Sequence, residues 1–225
     1  MFNKLKLKID DFMSPVLSDR TIIEYNSKGL LIEGILDKEQ IQPNSVDLTL
    51  RPTFKKISYN VKPENGNKKY IDISKEIEYK AGTFDPIDTN RPINRVMIEH
   101  DPTLGQYILK PGEFVLMASN EVINIPNGII GFVQGRSSIA RLGIQTEQAG
   151  LIDAGFRGTI TFEVFNQTKY PIILRGGMRI AQVYFFKAQK AKNIYGSTSK
   201  NSKYFGQIDP TGSMINEDFR HETFK

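Results

Sequence analysis

Residues 131–186 read GFVQGRSSIARLGIQTEQAGLIDAGFRGTITFEVFNQTKYPIILRGGMRIAQVYFF. Glycines at 135, 143, 150, 155, 158, 176 and 177 divide the stretch into short pieces. Between 159 and 165 the residues alternate with period two. Ile160, Phe162 and Val164 therefore share a core face, and Thr159, Thr161, Glu163 and Phe165 share the other. A helix of one or two turns fits after Arg136, with Ser137 or Ser138 as its cap and Gly143 as its stop. Short strands between tight turns, with little helix, form the pattern of a mainly β barrel or jelly-roll-like domain.

The flanking sequence continues this pattern. Residues 17–25 predict a short helix capped by Ser18 or Asp19 and closed near Gly29. A turn at 42–45 leads into an alternating strand at 46–50. Residues 59–94 are polar and irregular, with a loop at 63–67, and read as a variable excursion carrying one strand pair. Strands are expected at 107–109, 114–117 and 129–133, separated by Pro-Gly and Pro-Asn-Gly turns. From 187 to 203 the hydrophobic periodicity fades into Ser, Asn, Lys and Gly, as in a mobile tail. No internal repeat suggests a propeller. The expected organisation is an N-terminal extension (1–16), one β domain (17–190) and a flexible C-terminal tail (191–225).

A chain of 225 residues suits one such domain and buries roughly 70% of its unfolded surface, enough for a core without staples. It contains no cysteine, which excludes disulfides and thiolate metal sites and fits a reducing compartment. The opening MFNKLKLKIDDF alternates Lys with apolar residues, unlike a signal peptide, and no run reaches the ~18 apolar residues of a membrane span. A cytoplasmic protein without a membrane partner is expected. The net charge of +5 is spread among interspersed acids. That reads as a mixed solvated surface, not a nucleic-acid face, although a small polyanion needs only a few well-placed cations.

Three segments carry side chains suited to chemistry. Arg136, Ser137 and Ser138 stand where a strand meets a helix, an arrangement that suits an anion and equally suits a capped connector with a surface arginine. Asp153, between Gly150 and Gly155, is either an acid held to order water or an Asx-type turn former. Glu163 is either an exposed strand residue or, if its face lines a pocket, a carboxyl raised toward the range useful for proton transfer. The tail at 195–207 carries cations, hydroxyls and aromatics able to close over an anion, or simply to remain solvated.

Taken together and in order, these segments resemble the dCTP deaminase branch of the dUTPase superfamily. The resemblance spans about 17–207 and is weakest across 55–105. It is carried by LSDR at 17–20, QPNSVDL at 42–48, PGEF at 111–114, GRSSIARLG at 135–143, AGLIDAGFRG at 149–158, TFEVFN at 161–166, GGMRIAQ at 176–182 and YGSTSKNSKYFGQ at 195–207. It implies a homotrimer of distorted β-barrel subunits, with sites between neighbours and a tail that orders over nucleotide. Glu163 stands at the family's catalytic glutamate, which takes a proton from water attacking cytosine C4 and passes protons to N3 and the departing ammonia. Ser137 and Arg141 match the assisting serine and arginine, and Asp153 the acid that orders a second water where dUTP is also cleaved. Nucleotide contacts fall on Arg136, Ser137, Ser138, Ala149, Ile152, Asp153, Phe156, Gln182, Tyr195, Lys203, Tyr204 and Gln207, with magnesium held through the phosphates. Phe156 matches the ring that packs on deoxyribose and leaves no room for a 2′-hydroxyl.

Composition adds one independent constraint. Zinc nucleobase deaminases need a His/Cys/Cys or Cys₃ site, and this chain has only His100, His221 and no cysteine. The expected activity is zinc-independent deamination of dCTP to dUTP, with or without further cleavage to dUMP and diphosphate. The alternative is a plain dUTP diphosphatase, against which Glu163 speaks, because those enzymes carry an aliphatic residue there. A silent nucleotide-binding protein is the third reading. Two departures bear on base preference and on inhibition by dTTP. Leu151 replaces the tryptophan usual in bifunctional members, and Thr146-Glu147-Gln148 replaces a His-x-Thr pattern.

Overall fold

The computed structural model describes residues 14–57, 77–85, 105–146, 150–197 and 202–219. Residues 1–13, most of the 59–94 excursion including the 63–67 loop, Ala149, His100 and His221 lie outside the described residues.

Helix α1 (Asp19–Asn26) starts where expected. Ser18 sits in extended conformation and its hydroxyl accepts from Thr21 N–H, Ile22 is buried, and Gly29 turns the chain at φ +69°. The strands are β1 (Leu31–Glu33), β2 (Ile41–Gln42), β3 (Ser45–Ile57), β4 (Tyr79–Thr83), β5 (Gln106–Leu109), β6 (Phe114–Asn124), β7 (Ile129–Gly135), β8 (Ile144–Gln145), β9 (Leu151–Ile152), β10 (Arg157–Asn166), β11 (Ile172–Arg175) and β12 (Arg179–Lys187). Between β7 and β8 lies α2 (Ser137–Ala140). Among the described residues no helix is long and apolar enough to cross a membrane.

One antiparallel sheet runs β8-β10-β6-β3-β12-β7-β9, with β1 on β6 and β2 and β4 on β3; β5 and β11 pair separately. The 13-residue β3 joins its two halves. Its first part pairs with β2 and β12, its second with β6 and β4, and the sheet curls about it into a half-barrel. Inside that curl Val46, Leu48, Leu50, Ile123, Phe162, Val183 and Phe185 are fully buried. Each such side chain contributes roughly 1.5–3 kcal/mol relative to exposure.

Two sequence expectations change at the edges of this core. Strand β6 extends past 117 to Asn124, because the polar Ser119, Asn120 and Glu121 that interrupt its apolar pattern find partners inside. Glu121, buried completely, accepts from Gln40 Nε2 at 2.8 Å, Thr49 Oγ1 at 2.6 Å and Thr49 N–H at 2.9 Å. Strict alternation along β10 also fails. Its register on β6 shifts between Thr159 and Thr161, and the Ser119 hydroxyl accepts Ile160 N–H at 2.9 Å. This bulge buries Thr159 and turns Ile160 to the same side as Thr161 and Glu163.

Candidate functional site

The bulged strand forms one wall of a cavity of about 730 Å³. Glu163 is half-buried and projects into it, opposite Leu116 in the β10–β6 register. Ile57, Phe114, Leu116 and Ile160 make the surrounding wall apolar. Polar side chains that share the space include Asp153, Thr161, Gln207, Thr211 and Ser213. A carboxyl, a second carboxyl and an amide in a largely apolar hollow are suited to holding a polar ring and moving protons at its edge.

Asp153 arrives there by backbone geometry. Its carbonyl accepts Phe156 N–H at 3.1 Å and Gly155 takes φ +94°. The turn thus closes through the main chain, and the exposed carboxylate faces the cavity without forming an Asx turn among the described residues. Ile152 and Phe156 line the same space, and the buried Phe156 ring packs against Tyr195 in a tilted arrangement with centroids 5.8 Å apart.

The C-terminal segment supplies the outer wall. Gly206 N–H donates to Arg157 O at 2.7 Å, Thr159 N–H to Gln207 O at 2.9 Å, and Gln207 Nε2 to Thr159 O at 2.6 Å. These bonds occupy the edge of β10 beyond the reach of β8. Gly158 makes the approach possible, because a Cβ there would stand 2.8 Å from Gln207 O. Tyr204 enters the cavity beside Gln207, its N–H bonded to Tyr195 Oη at 2.9 Å.

The remaining expected residues lie elsewhere. Arg136, Ser137, Ser138 and Arg141 form the corner from β7 into α2 and do not line the cavity. The two serines are exposed and do not cap the helix; Arg136 holds the N-cap position without a side-chain bond to it. Gln182, on β12, donates to Tyr184 Oη, and Lys203 pairs with Asp218; neither lines the cavity.

Behind that corner is a residue whose role the sequence did not reveal. Asp47, buried on β3, places its carboxylate 3.2 Å from Arg136 Nε and 3.5 Å from Arg179 Nη1. Burial pushes its carboxyl above the usual range, and the two guanidiniums pull it part of the way back. Arg136 Nη1 also donates to Arg179 O at 3.4 Å, so its fork is fixed from behind while the side chain remains partly open. The available signal was an acid set between Val46 and Leu48 in a strand buried on both faces, where only paired charges persist.

A family model for dCTP deaminase-like proteins matches residues 16–188. The chain is 38% identical over 207 residues to a Methanosphaera stadtmanae protein named dCTP deaminase, dUMP-forming, covering 91% of this chain and 95% of that protein. It is 39% identical over 201 residues to a Sulfurihydrogenibium protein of the same name, covering 89% and 97%. Among solved structures, 2′-deoxycytidine 5′-triphosphate deaminase from Agrobacterium tumefaciens superposes with a TM-score of 0.56 at 22% identity. That match covers 78% of this chain and 49% of the other, about half its length, and is a likeness of fold.

Proposed function

Because the chain belongs to the dCTP deaminase-like family, we propose that it converts dCTP and water to dUTP and ammonia without zinc, and then cleaves dUTP to dUMP and diphosphate. The observation that carries this reading is Glu163, a half-buried carboxyl in an apolar hollow that also contains Asp153 and Phe156.

On this reading the cytosine ring enters beside β10. Glu163 takes a proton from water as the oxygen adds to C4 and passes it to N3; it then takes the remaining proton from the new C4 hydroxyl and delivers it to the amine, which departs as ammonia as the C4 carbonyl forms. A single side chain can do this because the intermediate loses ammonia only after the ring nitrogen has been protonated. Phe156 packs beneath the deoxyribose, where a 2′-hydroxyl has no room. Asp153 orders the second water for attack on the phosphate chain. The dUMP-forming names of the relatives support the second step and disfavour a plain dUTP diphosphatase.

The triphosphate, taken as its magnesium complex, needs cations, and Arg136 with Ser137, Ser138 and Arg141 supplies donors of the right kind. Those residues do not line the cavity of their own chain. The proposal therefore assigns each site to two copies, one giving the cavity and the other the β7–α2 corner, within a homotrimer.

The test is product analysis. Purified protein with dCTP and magnesium should release ammonia and diphosphate and accumulate dUMP. Glu163→Gln should lower the rate of ammonia release by about 10²–10⁴ while retaining nucleotide binding. Deamination at the wild-type rate by that variant would overturn the assignment.

A further inference from the structure

The C-terminal segment continues past Gln207. It crosses β3, where Asp209 lies 3.2 Å from Arg51 Nε and accepts from Thr53 Oγ1 at 3.4 Å. Thr211 N–H then reaches back to Thr161 Oγ1 on β10 at 3.2 Å. Finally Ser213 N–H donates to Tyr79 Oη on β4 at 2.9 Å. Between the last two bonds stands Gly212, packed on the Tyr79 ring so closely that a Cβ would overlap Cε2 and Cδ2. Its backbone is not in the left-handed region, so the packing, and not the φ angle, demands glycine. Tyr79, Thr211, Gly212 and Ser213 all line the cavity that holds Glu163.

We propose that Tyr79 is a positioning residue for the reaction. Its ring seats Gly212 and its hydroxyl takes Ser213 N–H, which locks the segment carrying Tyr204 and Gln207 across the mouth of the cavity. Bonds to β10 hold one side of the segment, and the Asp209 pair with Arg51 holds its crossing of β3. The contact with Tyr79 on β4 fastens it beyond Gly212. Tyr79 belongs to the variable excursion, outside the segments that carry the family resemblance. The inference rests on the proposed deaminase reading for its catalytic consequence, but not for the fastening itself.

The test uses the full chain with Tyr79→Phe, Gly212→Ala, Tyr79→Ala and the Tyr79→Ala/Gly212→Ala double variant. Hydrogen exchange of the 204–213 amides, read by mass spectrometry, reports the fastening without reference to activity. Gly212→Ala should raise exchange there and raise KM for dCTP about tenfold with a smaller change in kcat. Tyr79→Phe, which keeps the ring, should raise KM several-fold. In the Tyr79→Ala background Gly212→Ala should add nothing, because the ring it collides with is gone. Effects that multiply in the double variant, or wild-type exchange in Gly212→Ala, overturn the proposal. If wild-type protein leaves dCTP untouched, the deaminase reading falls, and the exchange data still decide the fastening.

Discussion

Replacing Asp47 with Asn keeps the side chain's shape and removes the negative charge held between Arg136 and Arg179. Removing one partner of a fully buried ion pair costs about 3–5 kcal/mol. Here the arginine side chains remain 29% and 34% exposed and can recover water, so the expected loss is smaller, about 1–3 kcal/mol. The Asn oxygen can still accept from Arg136 Nε at the 3.2 Å position, which offsets part of the loss. For a chain of this size that is a fall in melting temperature of roughly 3–10 °C. The catalytic effect should be separable from it. With the fork no longer fixed from behind, Arg136 samples several orientations, and KM for dCTP should rise about tenfold, or 1.4 kcal/mol, with kcat nearly unchanged. Steady-state ammonia release well below the melting temperature, together with thermal unfolding, measures both quantities. A lowered melting temperature with an unchanged KM would show that Asp47 supports the fold only, and that Arg136 needs no orientation to meet its anion.

Two further changes probe the acids of the molecule. Asp153→Asn should leave ammonia release within a few-fold of wild type while diphosphate release from dUTP is lost, and equal loss of both would remove Asp153 from the second step. Glu121→Gln tests the buried carboxyl, which burial raises above its ordinary 4.5 although the Thr49 and Gln40 donors pull it down in part. A raised folded pKa gives stability that is full below 4.5 and is lost as pH rises through the folded value. The difference in melting temperature should therefore move in favour of Glu121→Gln as pH rises through that window, on top of a constant loss of about 1–3 kcal/mol for the mispaired amide. A drift the other way would contradict the direction of the shift.

Glu163 was legible because a period-two pattern specifies faces, and a strand with Phe162 and Val164 buried must turn its neighbours outward. The bulge beneath it was not, because two residues opposing one is a property of the pair β10–β6 and not of either sequence. The far wall was legible only in part. A strand pair was expected within the 59–94 excursion, and β4 lies there, but it pairs with the end of β3, Thr53–Ile57, outside that stretch. Asp47 illustrates the limit of local reading: its alternating strand was evident, but its partners Arg136 and Arg179 are about 90 and 130 positions away and meet it only through the β3–β12–β7 order. The serines after Arg136 were noticed for a cap they do not provide.

That separation of the Arg136 corner from the Glu163 cavity makes the proposed assembly testable by complementation. If the cavity of one copy meets the corner of the next, the contact is head-to-tail and closes into a ring, so every site draws on two chains. Glu163→Gln spoils only cavities, and Arg136→Ala combined with Ser137→Ala spoils only corners. Each variant alone should be nearly inactive, since every site in it contains one spoiled half. Among all rings formed from equal amounts of both, parental rings included, half the cavities and half the corners are intact, and about one quarter of sites should combine two good halves. Co-expression with two different affinity tags and sequential purification guarantees that the rings are mixed. Each mixed ring of three then holds one site with two good halves, and activity near a third of wild type would establish sharing between chains. Mixed rings that remain as inactive as either parent would place the whole site within one chain, and the Arg136 corner would then have to reach its own cavity by a movement of the β7–α2 connection.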